Sequence, residues 1–411
     1  MAQRIITTLE ITSSSINSVS GYCLNNTDVI LCAEKVPLEK GIVVAGNIID
    51  EDNVIENIKK LMGIVSLKLG RTISDVVLVL PSNGFEVFNH KQTSSVVSPV
   101  GIIAKIDIDN VKSQLSKASL NSNIGIVDII PVSYITDNGQ FVVPPLNQQS
   151  NSLSIEAKLH TLPVDVVKNY KRVVEQSGLK IKRLVVGSYA ASNLLKKQNK
   201  VQGDYLLLDL GDKMTIATLA SSKEGVVGSL GIQDGASSID NYLIDKFKIS
   251  AFEARAIKEM IGVDLRDCAF ETNVFVSEDE SQQISNKQLV ESMKEAATMY
   301  FLKINTAIDN LLQSFEVSKN NFPVVFIGGG SKLNGFKELS NKNINGGNKE
   351  FPTINCVGAR DIIFINCVGA LDVVLSEKLL GDYETEDSDL LDISTRHTKL
   401  KRTNHTDDFE E

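Results

Sequence analysis

The chain reads as an α/β protein made of two related halves around a central cleft, and three features carry that expectation. Asp204-Tyr-Leu-Leu-Leu-Asp-Leu-Gly211 ends an apolar strand in an acid and a glycine. Val324-Val-Phe-Ile-Gly-Gly-Gly-Ser331 ends another in a glycine turn, and the hairpin-led sheet that opens the chain is echoed in its second half. Strands that bring an acid, or a backbone free of side chains, to one edge of a sheet are a common way to approach a phosphate or nucleoside. A repeated hairpin-led unit implies a duplicated domain with a cleft between the copies.

The elements follow in order. Arg4 to Ile11 is an apolar run, Thr12-Ser-Ser-Ser15 a tight polar turn, and Ile16 to Cys23 and Val29 to Val36 alternate as strands. Val54 to Leu69 carries apolar residues at helical spacing along one face. Val76 to Leu80 is fully apolar, as in a strand covered on both faces. Residues 84–162 differ in texture, with polar strands, a predicted helix from Asp107 to Leu120 and a loop at Pro144-Pro145, and read as an inserted α/β module. Helix returns from Val164 to Ser177, then strand Ile181 to Val186 and helix Tyr189 to Lys196. The second half predicts strands at Tyr205–Leu210, Thr215–Ala220 and Gly225–Leu230, and helices at Ala236–Phe247 and Ser250–Ile261. A short strand at Asn273–Val276 precedes the acidic loop Glu278-Asp-Glu280. Asn286 to Phe315 is the longest helix, feeding the strand that ends at Gly328, and Ile362 to Leu380 is the last. Beyond Gly381 charge runs without an apolar pattern predict a disordered tail.

Bulk properties narrow the function. At 411 residues at least two domains are expected, and 42% apolar with 23% charged residues is ordinary for a globular protein. A formal charge of −9 argues against a nucleic-acid-binding role. Cys23, Cys32, Cys268, Cys356 and Cys367 are scattered without a C-x-x-C pair and read as reduced thiols of a cytoplasmic protein. His90, His160, His397 and His405 show no metal spacing. No segment reaches membrane-span length and the N-terminus lacks a signal-peptide core, so any membrane contact is expected to be peripheral.

The candidate site residues each allow two readings. Gly328-Gly329-Gly330-Ser331 is either a nucleoside-facing turn or a tight strand-to-helix connection; it is neither a Walker A loop nor a dinucleotide fingerprint. Asp209 is either a metal ligand acting through water or a strand-end cap, and Lys258 either reaches a ribose or phosphate or is a surface lysine.

Taken in order, these pieces resemble the actin-like (ribonuclease H-like) ATPase superfamily and, within it, the FtsA family of bacterial cell-division proteins, over roughly residues 4–380. Leu9-Glu-Ile11 sits where that family has Leu-Glu-Ile-Gly-Thr, and Lys40-Gly41 to Lys60 resembles its Gly-rich loop and first helix. Ile130-Pro-Val-Ser-Tyr134 resembles Ile-Pro-Gln-Glu-Tyr, Glu156-Ala-Lys-Leu-His160 resembles Ala-Lys-Val-His, and Ser177-Gly-Leu-Lys180 resembles Cys-Gly-Leu. Tyr205 to Leu210 is similar to the Val-Val-Asp-Ile-Gly-Gly-Gly-Thr strand, Gly231-Ile-Gln-Asp-Gly235 to the turn before the next helix, and Val368-Gly-Ala-Leu371 to Ala-Val-Gly-Leu. The resemblance implies subdomain 1A at 1–83 with 164–196 and 359–381, an FtsA-type inserted subdomain 1C at 84–163, 2A at 197–235 with 300–358, 2B at 236–299, and a tail at 382–411.

It also implies ATP and Mg in the cleft, held at Thr12, Ser13, Ser15, Asp209, Gly211, Asp212, Lys258 and Gly328 to Ser331, with Asp209 on the metal through water. The departures fall at those places. Thr12 replaces a glycine and Ser15 a lysine, Asp212 and Lys213 replace two glycines, and Ala254-Arg255-Ala-Ile-Lys258 replaces Ala-Glu-x-Ile-Lys. Two charges 4 Å apart interact by about 4 kcal/mol at an effective dielectric near 20, so Asp212 weighs against a phosphate, with Lys213 beside it as partial compensation. The family's closing basic amphipathic helix has no counterpart in the sparse Leu390, Leu391, Ile393, Leu400 and Phe409.

The expectation is therefore a self-associating division adaptor with weakened or lost ATP binding rather than an efficient ATPase. Its implied partners are FtsZ filaments at 236–299, other division proteins at subdomain 1C, and the inner face of the membrane at the division site. A working ATPase and a pilus-assembly type of adaptor are the alternatives. A sugar kinase is disfavoured, because no second substrate-binding acid stands in a matching place.

Overall fold

The computed structural model describes residues 5–24, 27–118, 120–262, 273–276, 283–317 and 321–379. The acidic loop at Glu278 to Glu280 and the tail at 382–411 lie outside the described residues. The chain divides into two compact units, one of residues 1–87, 122–125 and 160–379, the other holding 88–121 and 126–159.

The larger unit opens with β1 (Ile6–Ile11), buried along its whole length, which turns back into β2 (Ser15–Leu24) and then β3 (Thr27–Pro37). A small hairpin, β4 (Val43–Val44) and β5 (Asn47–Ile48), leads to α1 (Glu51–Leu69). The start and stop of α1 are written in sequence. Asp50 caps it by accepting from the Asn53 N–H, acids fill its first turn, Lys68 sits in its last, and Gly70 ends it at φ 63°. Its buried face, Val54, Ile58, Leu61, Met62 and Val65, is the stripe the spacing predicts. β6 (Asp75–Leu80) follows, with Val76 to Leu80 all buried.

The smaller unit contains most of β7 (Glu86–Ser95), then α2 (Lys105–Leu115), most of β8 (Ile124–Thr136), β9 (Gly139–Phe141) and most of β10 (Ser152–Pro163), whose strands are ordered β7-β10-β8-β9. It has a core of its own, including Ile108, Val111, Leu115, Tyr134, Leu153 and Ile155. Buried Asp107 holds the entry of α2 by accepting from the Val97 and Ala104 amides at 2.7 and 2.8 Å. α2 stops at Leu115, short of the predicted Leu120, and Ser116 at its end turns its hydroxyl onto the Ser113 carbonyl at 2.9 Å.

Back in the larger unit, α3 (Val164–Gln176), β11 (Lys180–Val186) and α4 (Gly187–Lys197) complete the first half. The second half is β12 (Asp204–Leu210), β13 (Thr215–Ser221), β14 (Gly225–Ile232), α5 (Ser237–Phe247), α6 (Ala251–Ile261), β15 (Asn273–Val276), β16 (Gln283–Ser285) and α7 (Asn286–Ser314). β17 (Val324–Ile327), α8 (Phe336–Asn343), β18 (Lys349–Glu350) and α9 (Ile365–Leu379) close it. α8 and β18 were not anticipated, since eight and two residues are too few to display a period.

The repeat is explicit in topology. The first half orders its strands β3-β2-β1-β6-β11 and the second β14-β13-β12-β17-β18, with the first three antiparallel and the last two joined in parallel in both. The 29-residue α7 buries Leu289, Met293, Ala297, Tyr300, Ile304 and Leu311 against the second sheet. α4 and α9 cross at Gly369, where an added Cβ would lie 2.1 Å from the Ala190 carbonyl oxygen. Only glycine lets the two backbones approach so closely.

Candidate functional site

Duplication places two acids at equivalent points. Glu10 is the penultimate residue of β1 and Asp209 the penultimate residue of β12. Each is followed by a four-residue turn closed by the same bond, Thr12 N–H to Ser15 C=O at 2.9 Å and Gly211 N–H to Met214 C=O at 3.0 Å. Both turns line a cleft of about 540 Å³ within the larger unit, together with the Gly328 to Gly330 turn, Tyr170, Arg255, Lys258 and Asn366.

Beneath the turns the acids are tied to one amide. Asn366, in the first turn of α9, donates from Nδ2 to Glu10 Oε1 at 2.7 Å and to Asp209 Oδ2 at 3.3 Å, while its own Oδ1 has no hydrogen-bond partner among the described residues. Asn17 donates to the other Glu10 oxygen at 3.2 Å. Burial pushes the Glu10 carboxyl up to about 7; the Asn366 bond opposes this and the Asp209 charge adds to it. Burial also raises Asp209, against its bond from Asn366. The phenol of Tyr170, raised by its own burial, donates to the Ile11 carbonyl at 3.4 Å.

The structure gathers most of the residues chosen from sequence. Thr12, Ser13, Ser15, Asp209, Gly211, Asp212, Lys258, Gly328, Gly329 and Gly330 all border the cleft. Ser331 does not; its hydroxyl folds back onto the Gly328 carbonyl at 2.8 Å. Gly328 stands at φ +81°, and a Cβ there would be 2.4 Å from Asp209 Oδ1, so the turn and the acid require each other's geometry. Lys258 is no surface lysine. Its side chain is 9% exposed, and its ammonium lies 2.9 Å from buried Asp240 and 3.2 Å from the Ala236 carbonyl.

Several groups at the cleft that could meet an anion are engaged within the protein. Thr12 Oγ1 accepts from the Ser14 and Ser15 amides at 3.3 and 3.1 Å and donates to the Ser15 carbonyl at 2.9 Å. Lys213 Nζ donates to Ser237 Oγ at 3.0 Å, and Lys332 pairs with Asp361 at 2.8 Å. Arg255 loses some basicity to burial but is held up by its bond to Glu259 at 3.1 Å and by the charge of Asp212. Both Asp212 and Arg255 border the cleft. Among the described residues no group of three or more His, Cys, Asp or Glu side chains is arranged to hold a metal ion.

Sequence reasoning gave no role to Glu10, Asn17, Tyr170 or Asn366. Glu10 was within reach, because aligning Leu9-Glu10-Ile11 with Leu208-Asp209-Leu210 pairs the two acids. Asn366 had no local signal, being 356 residues from Glu10.

No protein-family model matches the chain. It is 23% identical over 359 residues to the cell division protein FtsA of Enterococcus hirae, covering 84% of this chain and 80% of that protein. Among solved structures it is similar to a chain of a PilM-PilN type IV pilus biogenesis complex, with a TM-score of 0.57, 15% identity, and coverage of 90% of this chain and 98% of that one. It is also similar to the ethanolamine utilization protein EutJ from Carboxydothermus hydrogenoformans, with a TM-score of 0.52, 14% identity, and 90% of each chain covered. The fold is actin-like, as the sequence resemblance implied.

Proposed function

We propose that this chain is an actin-like adaptor of the cell-division machinery that self-associates and links FtsZ filaments to other division components, with ATP binding weakened or lost. The observation that carries the reading is the similarity to an FtsA that runs through 84% of the chain. The internal pairing of Thr12, Lys213 and Arg255 supports weakened nucleotide binding, because each engaged group must surrender a bond before it can serve a phosphate.

We assign the FtsZ contact to subdomain 2B at 236–299, where Phe252 and Met260 on α6 are each 82% exposed and offer apolar anchors to a peptide. Contacts with other division proteins fall to subdomain 1C at 84–163. Among the described residues no helix is long and apolar enough to cross a membrane, so attachment at the division site would be peripheral. Co-sedimentation with FtsZ polymers tests the adaptor reading; Phe252→Asp should reduce recovery in the pellet, and a wild-type chain that stays in the supernatant at every FtsZ concentration refutes it. Calorimetry with ATP and Mg tests the nucleotide half, and tight magnesium-dependent binding would overturn it in favour of a working ATPase.

A further inference from the structure

Thr12 stands where the first turn would otherwise present bare amides to the cleft. Successive backbone N–H groups in a turn make a concavity suited to an anion. Here one hydroxyl already fills it, accepting from Ser14 and Ser15 and passing its own proton to the Ser15 carbonyl. Ser15, in the place of a cation, turns its hydroxyl to Asn17 Oδ1 at 2.9 Å. The second turn has Gly211 at the equivalent position and so has no hydroxyl to cap itself; it carries the Asp212 carboxylate next in line instead. Between the turns, the Asn366 amide joins the two strand-end acids.

We propose that the cleft is self-liganded, with Thr12 the specificity-determining residue that rejects phosphate by occupying the amides of its own turn. This rests on the reading of the cleft as a degenerate nucleotide site and names the residue responsible. Rejection at the first turn is steric and hydrogen-bonded; at the second it is electrostatic. Removing only one leaves the other in force, so phosphate affinity returns when both are removed.

The test uses the full chain. Thr12→Val keeps the branched shape and deletes the acceptor, and Thr12→Ser keeps the acceptor and serves as control. Amide exchange at Ser14 and Ser15 should be at least about tenfold faster in Thr12→Val than in wild type and unchanged in Thr12→Ser. Calorimetry with pyrophosphate should show the Thr12→Val/Asp212→Gly double variant binding at least about tenfold more tightly than wild type. Equal exchange in Thr12→Val and wild type, or pyrophosphate uptake by wild type matching that of the double variant, overturns the proposal. If the double variant does not fold, the exchange measurement on the single variant still decides. Neither readout involves FtsZ, so failure here leaves the co-sedimentation result to judge the adaptor reading separately.

Discussion

Glu10→Gln isolates the buried acid at the floor of the cleft. Glu10 is 8% exposed and holds its proton up to about pH 7, against an ordinary 4.5, chiefly because burial disfavours its charge. The unfolded chain gives up that proton near pH 4.5, so between 4.5 and about 7 the folded chain binds one proton more. Stability therefore falls as pH rises through this window; the contribution is complete below 4.5 and gone above 7. The whole gap corresponds to about 3 kcal/mol, of which roughly 2 to 3 is lost between pH 5 and 8. Glutamine stays neutral throughout. It keeps an oxygen for Asn366 but turns an NH₂ toward Asn17, whose amide must flip away from its bond with Ser15, a pH-independent cost of about 1 kcal/mol. Urea unfolding of both proteins at pH 5 and pH 8 should show the variant gaining on wild type by about 2 to 3 kcal/mol at the higher pH. A wild-type-minus-variant difference that is flat with pH would show that Glu10 is charged in the folded protein and that the reasoning fails.

Three further substitutions probe the frame around the site. Lys258→Met leaves Asp240 buried without its cation and should cost about 3 to 5 kcal/mol in chemical denaturation, with Asp240→Asn in the same chain recovering most of it; a loss that persists in the double variant would point to packing instead. Gly369→Ala places a Cβ 2.1 Å from the Ala190 carbonyl oxygen, and the parting of α4 from α9 should cost about 1 to 3 kcal/mol or more, read as a lowered Tm; an unchanged Tm would mean the helices adjust freely. Lys197 joins buried Asp28, at 3.1 Å, to buried Asp372, so Lys197→Met should destabilise by about 3 kcal/mol at pH 7 and less at lower pH, where a proton replaces the lysine; equal loss at both pH values would refute the pairing.

The architecture was legible because its signals are local. An apolar strand, a polar turn and a second strand recur at the head of each half, and α1 announces both ends through Asp50 and Gly70. The glycine turn and the acid before Gly211 were likewise visible, since each belongs to a strand end. The partners of these residues were not. Lys258 read as either a ribose or phosphate contact or a surface lysine, and its pairing with Asp240 went unseen because that acid lies on another helix, 18 positions earlier, and no period links them. Thr12 read as a lost glycine, whereas folding turns its hydroxyl into the acceptor for two amides, a gain that substitution counting cannot register. Asn366 sits at the start of an apolar helix with nothing nearby to mark it, and only the meeting of α9 with β1 and β12 gives it a role.

The two halves share a backbone plan and differ in how they have left it, and the difference has a consequence for what holds the cleft closed. In a cleft that closes on a charged ligand, the acids at the ends of β1 and β12 repel each other unless something positive or hydrogen-bonding stands between them. Here that task falls to a neutral amide and to a proton. Asn366 serves both acids at once, and burial raises Glu10 to about 7, so below that pH only Asp209 need carry charge and the repulsion of a carboxylate pair is reduced. On the open side the charge of Asp212 raises Arg255, and both residues line the cleft. Of these contacts, the Asn366 bond to Glu10 is buried, and a hydrogen bond left unmade in such a setting costs about 1 to 3 kcal/mol. The contacts that join the two strand ends are therefore already present in the folded protein.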